Sequence, residues 1–402
     1  MTVRVAFPLL GGWFWTGGQS YLRNLFRVLA TTAADRVIPV LTVSAGAVSG
    51  AREAFGDLQG LEMVEVPRAL SGRRIMRARA LLLGRDARFE RWLLDQRIDL
   101  LFEATEFMGW RSRVPTLVWM PDFQHRHLPS MFEWKRLIGR ELLYQMQTRT
   151  GRTIMLSSET TRRECERFYP ASRGHTTVVR FAVAPARSPA LSTLVQRYGL
   201  PADYLYLPNQ FWKHKNHGLI VDALHRLRQR GRLICVVASG NPSDVRDPQY
   251  FPRLLRRIKQ LELGDSWRLL GMIPYEDVIG LMRGSIAVIN PSFVEGWSTT
   301  VEEAKALGVP LVLSDIPVHR EQTSDAVFFD PNDSEAAASA LLEACERFAP
   351  RLRGEARAPN PHVEEHLRAF GAAFCDAVDL ALRNATAVKI DRGPSFDGAP
   401  HQ

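Results

Sequence analysis

The stretch Asn290–Arg320, NPSFVEGWSTTVEEAKALGVPLVLSDIPVHR, decides the fold of this chain. Strand-like residues Ile286–Asn290 lead into it, and after a loop a helical pattern runs from about Thr299 to Leu307. A second apolar run follows and ends at Ser314–Asp315. A strand, a loop, a helix and a further strand in this order predict a parallel α/β sheet, in which ligands lie beyond the carboxyl ends of the strands.

The same alternation of strand and helix patterns extends along the rest of the chain. The other predicted strands are Val3–Phe7, Val37–Val43, Leu61–Val66, Asp99–Glu103, Thr116–Met120, Thr153–Ser157, Tyr204–Leu207, Leu233–Ala238, Trp267–Leu270, Pro310–Leu313 and Ala326–Phe329. Strands separated by helices predict mostly parallel sheets that are covered on both faces. The Pro- and Ala-rich segment Ala182–Pro201 interrupts the alternation and is the expected linker.

We therefore expect an α/β protein with two Rossmann-like, doubly wound parallel-sheet domains that face a ligand cleft. The first domain spans 1–185 and the second spans 186–385. The last helix, Val363–Asn384, packs on one or the other, and residues 386–402 form a disordered tail. A length of 402 residues fits two such domains better than one.

The composition narrows the class of protein and its partners. A formal net charge of +9 favours acidic partners such as nucleotide phosphates, nucleic acid or an anionic lipid surface. The four cysteines are scattered without a CxxC pair, which argues against zinc and disulfides and favours a cytoplasmic location. The sequence contains no run of 18 apolar residues, so we expect no membrane-spanning helix.

Two glutamates flank the start of the helix in Asn290–Arg320. Ser298 or Thr299 can cap this helix, whose first N–H groups and positive dipole end suit a phosphate. Glu295 precedes the cap, and Glu303 lies in the first turns. An acid in a first turn also complements the helix dipole, so Glu303 taken alone fits a structural role equally well.

The longer pattern around these glutamates is more specific. Glu295, seven intervening residues and Glu303, followed by Ala-x-Ala-x-Gly-x-Pro and an apolar run, resemble the E-x7-E element of the retaining family 4 glycosyltransferases, which are group 1 enzymes with the GT-B fold. The resemblance implies that Glu295 contacts the donor sugar and Glu303 the nucleotide ribose, since a carboxylate accepts hydrogen bonds from two vicinal hydroxyls. It also implies that the first domain serves the acceptor and the second binds the nucleotide sugar. The other residues it assigns to the donor here are Gly296, Trp297, Ser298 and Thr299.

A second element supports the resemblance. The run Tyr204–His217, YLYLPNQFWKHKNH, follows the first strand of the second domain and leads into a helix. The family usually has an arginine here and a lysine five residues later, and together they clamp the donor pyrophosphate. Lys215 matches the lysine, whereas the arginine position falls on Gln210, which carries no charge. We expect Lys213, His214 or another group to compensate.

The first domain contains a glycine pair, Gly17–Gly18, ahead of a predicted helix. It resembles the glycine-rich loop of the same family, which lets the backbone approach the donor. A glycine pair between a strand and a helix is also an ordinary turn.

The segment Trp119–Pro129, WMPDFQHRHLP, carries a further candidate for catalysis. Pro121 occupies the position of a family histidine, and Asp122 matches the acid that follows it. Asp122, with His125 and His127 nearby, is therefore a candidate for contact with the reacting sugar or the acceptor. The alternative role for Asp122 is an Asx turn.

The sequence also bears on metals and cofactors. Metal-dependent glycosyltransferases of the other main fold use an Asp-x-Asp element, and this sequence has none. We therefore expect no metal and no cofactor, with the charge of the departing diphosphate met by Lys215 and helix-start amides.

The pattern Arg73–Arg97 predicts one helix with eight arginines against three acids and an apolar face. Such a helix can lie on anionic lipid at the inner face of a membrane, which would suit a lipid-linked acceptor. An ordinary amphipathic helix with a solvated basic face gives the same pattern.

Taken together, these patterns indicate a retaining glycosyltransferase that moves a hexose-type sugar from a nucleotide diphosphate to an acceptor hydroxyl, as in surface polysaccharide or glycolipid synthesis. A GT-B epimerase or phosphorylase and a non-catalytic nucleotide-sugar-binding module remain alternatives, the latter because of Gln210. No nucleic-acid-binding motif occurs in the sequence, so we expect no nucleic acid partner.

Overall fold

The computed structural model describes residues 2–9, 16–70, 72–104, 107–184, 186–348 and 359–391. The chain divides into two compact units. Unit 1 comprises Met1–Pro121, Ile138–Phe181 and His366–Gln402, and unit 2 comprises Asp122–Leu137 and Ala182–Glu365. The chain passes from unit 1 to unit 2 between residues 181 and 182, close to the predicted domain boundary between residues 185 and 186. The grouping of 122–137 with unit 2 has no counterpart in the sequence patterns.

The described part of unit 1 contains a seven-stranded sheet, ordered β3-β2-β1-β4-β5-β6-β7, in which all neighbouring strands are parallel. Its strands are β1 Val3–Pro8, β2 Val37–Ser44, β3 Glu62–Val66, β4 Leu100–Glu103, β5 Thr116–Met120, β6 Thr153–Leu156 and β7 Thr176–Val178. Only β7 was not predicted, because it has three half-buried residues and two of them are threonines.

The described part of unit 2 contains a six-stranded parallel sheet, ordered β10-β9-β8-β11-β12-β13. Its strands are β8 Leu205–Leu207, β9 Val236–Ser239, β10 Trp267–Gly271, β11 Val288–Asn290, β12 Leu311–Ser314 and β13 Val327–Phe329. Alternate side chains of β8 enter opposite cores, with Leu205 and Leu207 on one face and Tyr206 on the other. Strands buried on both faces explain why they read as continuous apolar runs.

The helices alternate with these strands. In chain order they are α1 Thr16–Thr32, α2 Val48–Phe55, α3 Arg73–Leu82, α4 Ala87–Asp95, α5 Gln124–His127, α6 Trp134–Thr148, α7 Glu159–Phe168, α8 Leu191–Tyr198, α9 His217–Gln229, α10 Tyr250–Gln260, α11 Tyr275–Gly284, α12 Thr299–Ala306, α13 Pro317–Gln322, α14 Ser334–Phe348 and α15 Val363–Asp391.

The glycine pair does not form the predicted loop. Gly17 and Gly18 lie in the first turn of α1, which begins at Thr16 because the amphipathic pattern that buries Leu22 and Leu25 extends that far. Residues 10–15, which precede the helix, lie outside the described residues.

The predicted single helix Arg73–Arg97 is wrong, because α3 ends at Leu82 and α4 begins at Ala87. Gly84 between them has φ +76°, which a right-handed helix does not allow. The Asp86 side chain accepts hydrogen bonds from the backbone N–H groups of Arg88 and Phe89, and it thereby caps α4.

Two other expectations also change. The predicted linker Ala182–Pro201 contains α8, which packs Leu194 into the core of unit 2. The last helix continues to Asp391, so the first part of the predicted tail is helical. Residues 392–402 lie outside the described residues.

Candidate functional site

The predicted site residues of unit 2 follow the carboxyl ends of two adjacent central strands. The chain runs outward from β8 to β9 and β10 on one side and then returns to place β11 on the other side of β8. The loops after β8 and β11 therefore diverge at the switch point of the sheet, where open α/β sheets bind ligands. The loop after β8 carries Lys215, and the loop after β11 carries Glu295.

The structure brings these two residues together. Lys215 Nζ donates to Glu295 Oε1 at 2.5 Å, and the two side chains are only 13% and 8% exposed. Glu295 Oε1 also lies 2.7 Å from Ser292 Oγ. An ion pair held this far from solvent must be satisfied by its neighbours, because removing one partner leaves an uncompensated buried charge.

A buried hydrogen-bond network shapes the loop that carries Glu295. Asn290 at the end of β11 accepts from Ser292 Oγ at 2.6 Å and donates to Ser298 Oγ at 2.7 Å. The Ser314 hydroxyl donates to the Ser292 carbonyl at 2.6 Å. These polar side chains are at most 2% exposed, so the loop is fixed before any ligand arrives.

Ser298 is the N-cap of α12, as predicted, and its Oγ accepts from the Val301 N–H. Its own N–H donates to the Gln322 amide oxygen at 3.0 Å. The side chain and amide of Ser298 are therefore committed to holding the helix. Gly296 beside it is buried, and Trp297 and Thr299 are half-buried.

Glu302 and Glu303, both buried in the first turns of α12, have different partners. Glu302 is held by Lys305 Nζ at 2.9 Å and by the Gln322 amide at 3.0 Å. Glu303 Oε1 accepts from the Tyr275 hydroxyl at 2.7 Å. Burial raises the pKa of Glu303 to about 7, and the bond from Tyr275 opposes the rise only in part. Glu302 therefore has a structural role. A hydrogen-bond donor on a ligand would stabilise the charged form of Glu303.

Gln210, at the expected arginine position, ties two loops together. Its side-chain oxygen accepts from the Asn241 N–H at 2.7 Å, which joins the loop after β8 to the loop after β9. The loops approach so closely that a Cβ on Gly240 would lie 2.3 Å from the Asn209 carbonyl oxygen. Gln210 therefore has a structural role and brings no positive charge.

A cation that the sequence patterns did not reveal lies beside the Lys213–Lys215 turn. Arg246 Nε donates to Asp244 Oδ1 at 3.0 Å, and the guanidinium also lies 3.3 Å from His214 Nδ1 and 5.2 Å from the Trp212 ring centroid. Burial lowers the pKa of His214 well below its usual value, so its neutral ring can accept from the guanidinium. No spacing in the sequence relates Arg246 to Trp212 or His214, because they lie on two different loops.

Arg246 also contacts the segment that carries Asp122. Its Nη1 donates to the Gln124 side-chain oxygen at 3.3 Å, and its guanidinium lies 5.8 Å from the Phe132 ring centroid. Asp122 Oδ1 accepts from the Gln124 N–H at 3.1 Å, which is the Asx turn considered above. A catalytic role for Asp122 stays a prediction. His125 on α5 is buried, whereas His127 is exposed.

Two absences apply to the described residues only. Within them, no cluster of three or more His, Cys, Asp or Glu side chains could hold a metal ion. No helix in the described ranges is long and apolar enough to cross a membrane.

Comparison with protein families supports the resemblance. Residues 201–355 match the model of the family described as glycosyl transferases group 1, and this range contains Gln210, Lys215, Glu295 and Glu303. The predicted resemblance to group 1 glycosyltransferases is thus confirmed for this range, which is less than half of the chain.

Among the curated proteins that match the chain, two O-antigen mannosyltransferases match shorter stretches. The O-antigen chain mannosyltransferase B of Escherichia coli is 36% identical over 81 residues, which is 20% of this chain and 21% of that protein. The O-antigen chain mannosyltransferase RfbU of Salmonella typhimurium is 31% identical over 93 residues, which is 23% of this chain and 26% of that protein. The alignments therefore span about a quarter or less of these relatives.

Solved structures match nearly the whole chain. A glycosyltransferase from Rickettsia africae gives a TM-score of 0.64 at 15% identity and covers 98% of this chain and 99% of its own. The Anabaena protein Alr3699/HepE in complex with UDP and glucose gives 0.62 at 15% identity and covers 96% and 100%. Sucrose-phosphate synthase from Thermosynechococcus elongatus gives 0.59 at 13% identity and covers 97% and 98%. The predicted GT-B fold, with two Rossmann-like parallel-sheet domains, is confirmed.

Proposed function

We propose that this protein is a retaining glycosyltransferase that transfers a hexose-type sugar from a nucleotide diphosphate donor to an acceptor hydroxyl. The observation that carries the proposal is the buried pair of Lys215 and Glu295 at the switch point of a sheet whose residues match group 1 glycosyltransferases. The curated relatives are O-antigen mannosyltransferases by name, which favours mannose as the sugar and a surface polysaccharide or glycolipid as the product.

Lys215 meets the diphosphate of the donor. Its ammonium has three donors, so it can keep one bond to Glu295 and offer the others to phosphate oxygens. The N-terminus of α12 adds backbone N–H groups and the positive end of its dipole. As the bond from the sugar to the diphosphate breaks, negative charge grows on the leaving group, and these fixed donors stabilise it without a metal.

Glu295 and Glu303 bind the other two parts of the donor, which are the sugar and the ribose. Glu295 accepts hydrogen bonds from the hydroxyls of the transferred sugar while Lys215 holds the carboxylate in place. Glu303 accepts from the ribose hydroxyls. Since a raised pKa makes the charged form of Glu303 costly without a ligand, two hydroxyl donors recover part of this cost on binding.

Asp122 serves the reacting sugar or the acceptor from the segment that Arg246 holds. The hydrogen bond from the Gln124 N–H to its Oδ1 fixes the carboxylate at the start of this segment. The enzyme works in the cytoplasm, at the inner face of a membrane where the acceptor is lipid-linked. The four cysteines, all within the described residues, are free, which suits a reducing compartment.

Thermal unfolding with a panel of nucleoside diphosphates and the matching monophosphates tests the proposal. A ligand at a hundredfold excess over its Kd stabilises the folded state by about 2.7 kcal/mol, so the matching diphosphate should raise Tm by several degrees. The monophosphate should do less, because it lacks the group that Lys215 meets. No response to any nucleoside diphosphate would contradict the proposal.

A non-catalytic nucleotide-sugar-binding module is the second candidate, because Gln210 is tied to Asn241 where an arginine is usual. Release of nucleoside diphosphate from the matching nucleotide sugar separates the two candidates. An enzyme releases it continuously when acceptor is supplied, whereas a binding module raises Tm and releases none.

A further inference from the structure

The turn between α3 and α4 exposes two leucines to solvent. Leu82 is 83% exposed and Leu83 is 66% exposed. We call Leu82–Arg85 the leucine turn. Trp110, which is 45% exposed, lies beside it, because a Cβ on Gly84 would be 3.0 Å from the indole nitrogen. Large apolar side chains grouped on a surface commonly mark an interaction site.

The leucine turn is held firmly against the loop that follows β4. The Arg111 N–H donates to the Gly84 carbonyl at 2.8 Å. A Cβ on Gly109 would lie 2.1 Å from that same oxygen, so the two backbones touch. Asp86 caps α4 directly after the turn. The leucines therefore project from a fixed backbone.

Among the described side chains near the leucine turn that are exposed to solvent, arginines outnumber acids. Two of the nearby acids face inward: Asp86 is 3% exposed and pairs with Arg79, and Glu90 is 4% exposed and accepts from the Arg113 N–H. Among the described side chains of α3, α4 and the loop after β4, the exposed arginines are Arg77, Arg88, Arg91, Arg111 and Arg113, and the exposed acid is Asp95. The described part of this surface is therefore basic around two exposed leucines.

We propose that the leucine turn docks the protein on an anionic lipid surface. Leu82, Leu83 and Trp110 enter the boundary between headgroups and acyl chains, and the surrounding arginines contact acidic headgroups. A protein partner fits less well, because a stable interface takes about 800 Å² from each side and three projecting side chains supply only a small part of that. The docking element is thus a rigid turn and not the amphipathic helix that the sequence predicted.

None of these residues is assigned to the donor, so docking can be tested apart from sugar transfer. The full chain is mixed with vesicles of phosphatidylcholine, either pure or with about 30% phosphatidylglycerol, and sedimented at low and high salt. We expect binding to the anionic vesicles at low salt and release as salt rises, because Coulomb attraction is screened within about 10 Å. Pure phosphatidylcholine should bind at least about tenfold more weakly, because each basic residue near an anionic surface adds to the attraction.

Variants assign the binding to the leucine turn. Leu82→Ser with Leu83→Ser should lower the partition coefficient at least about tenfold, because two apolar side chains no longer enter the lipid. Arg88→Gln with Arg111→Gln should weaken binding and flatten its salt dependence. The matched control is Leu233→Ser in unit 2, which changes a leucine that is 70% exposed and should leave binding unchanged.

Three results would overturn the proposal. The first is undiminished vesicle binding by the double leucine variant, and the second is equal binding to neutral and anionic vesicles. The third is a wild-type dimer, seen by sedimentation velocity, that the leucine variant converts to monomers, since the turn would then be a contact between copies of the chain. Nucleotide-induced Tm shifts on the same samples show whether each variant is folded, and they separate failure of docking from failure of the proposed function.

Discussion

Replacing Glu303 by glutamine should stabilise the ligand-free protein while weakening its affinity for the nucleotide. Burial raises the pKa of this carboxyl from 4.5 to about 7, which corresponds to about 3 kcal/mol. Because the pKa is higher in the folded than in the unfolded chain, the folded protein holds an extra proton between these pH values. Stability is therefore full below pH 4.5 and falls as the pH rises through about 7.

Urea unfolding from pH 5 to pH 8.5 measures this effect. Glutamine carries no charge to desolvate and keeps an oxygen for the Tyr275 hydroxyl, which lies 2.7 Å from Glu303 Oε1. We expect the wild type to lose up to about 3 kcal/mol relative to Glu303→Gln across this range. Calorimetric titration at pH 8 should show the variant binding the matching nucleoside diphosphate about 10- to 100-fold more weakly, because the ribose loses a charged acceptor.

The neighbouring acid provides the control. Glu302→Gln removes a carboxylate that is bound by Lys305 Nζ at 2.9 Å, so this variant should lose stability and not gain it. Stability curves for the wild type and Glu303→Gln that run parallel from pH 5 to pH 8.5 would refute the argument from burial. An unchanged nucleotide affinity in the folded variant would remove the assignment of Glu303 to the ribose.

Three further predictions concern turnover, metal dependence and the role of Arg246. Glu295→Gln should lower kcat far more than affinity for the bare nucleoside diphosphate, and equal losses in rate and in calorimetric affinity would contradict a separate sugar role. Sugar transfer should continue in excess chelator, since Lys215 and backbone amides bind the phosphates. Complete loss of activity that magnesium or manganese restores would contradict this prediction. Arg246→Lys should destabilise the protein by about 1–3 kcal/mol in urea unfolding, because Asp244 is 2% exposed and loses a bidentate partner. In initial-rate measurements it should raise the KM for acceptor more than that for donor, and the reverse order would show that Arg246 does not position the Asp122 segment.

The sequence predicted the central strands of both sheets because they are buried on two faces and read as apolar runs. It missed β7, Thr176–Val178, which is half-buried and carries two threonines. The sequence also did not predict that the helix ends at Leu82, because the arginine-rich pattern continues past Gly84. The structure explains the turn by the positive φ of Gly84, the Asp86 cap of α4 and the close approach of the Gly109 backbone.

The sequence predicted individual residues of the candidate site but not which of them contact one another. The loop positions of Lys215 and Glu295 follow from strand order, but their ion pair joins residues 80 positions apart. Arg246 joins residues on separate loops, and its contact with Gln124 spans 122 positions. Local patterns predict which residues face a loop, whereas partners so distant in sequence are set by how the loops fold over the sheet edge.

The role of Lys215 gives the most direct test of the central claim. Calorimetric titration compares the wild type with Lys215→Met, using the matching nucleoside diphosphate and its nucleoside, and Lys259→Met on the exposed face of α10 serves as the control. We expect Lys215→Met to lose at least about tenfold in affinity for the diphosphate and little for the nucleoside, because a charged hydrogen bond is worth about 1.5–3 kcal/mol. Equal affinity of the wild type and a folded Lys215→Met for the diphosphate would contradict the account.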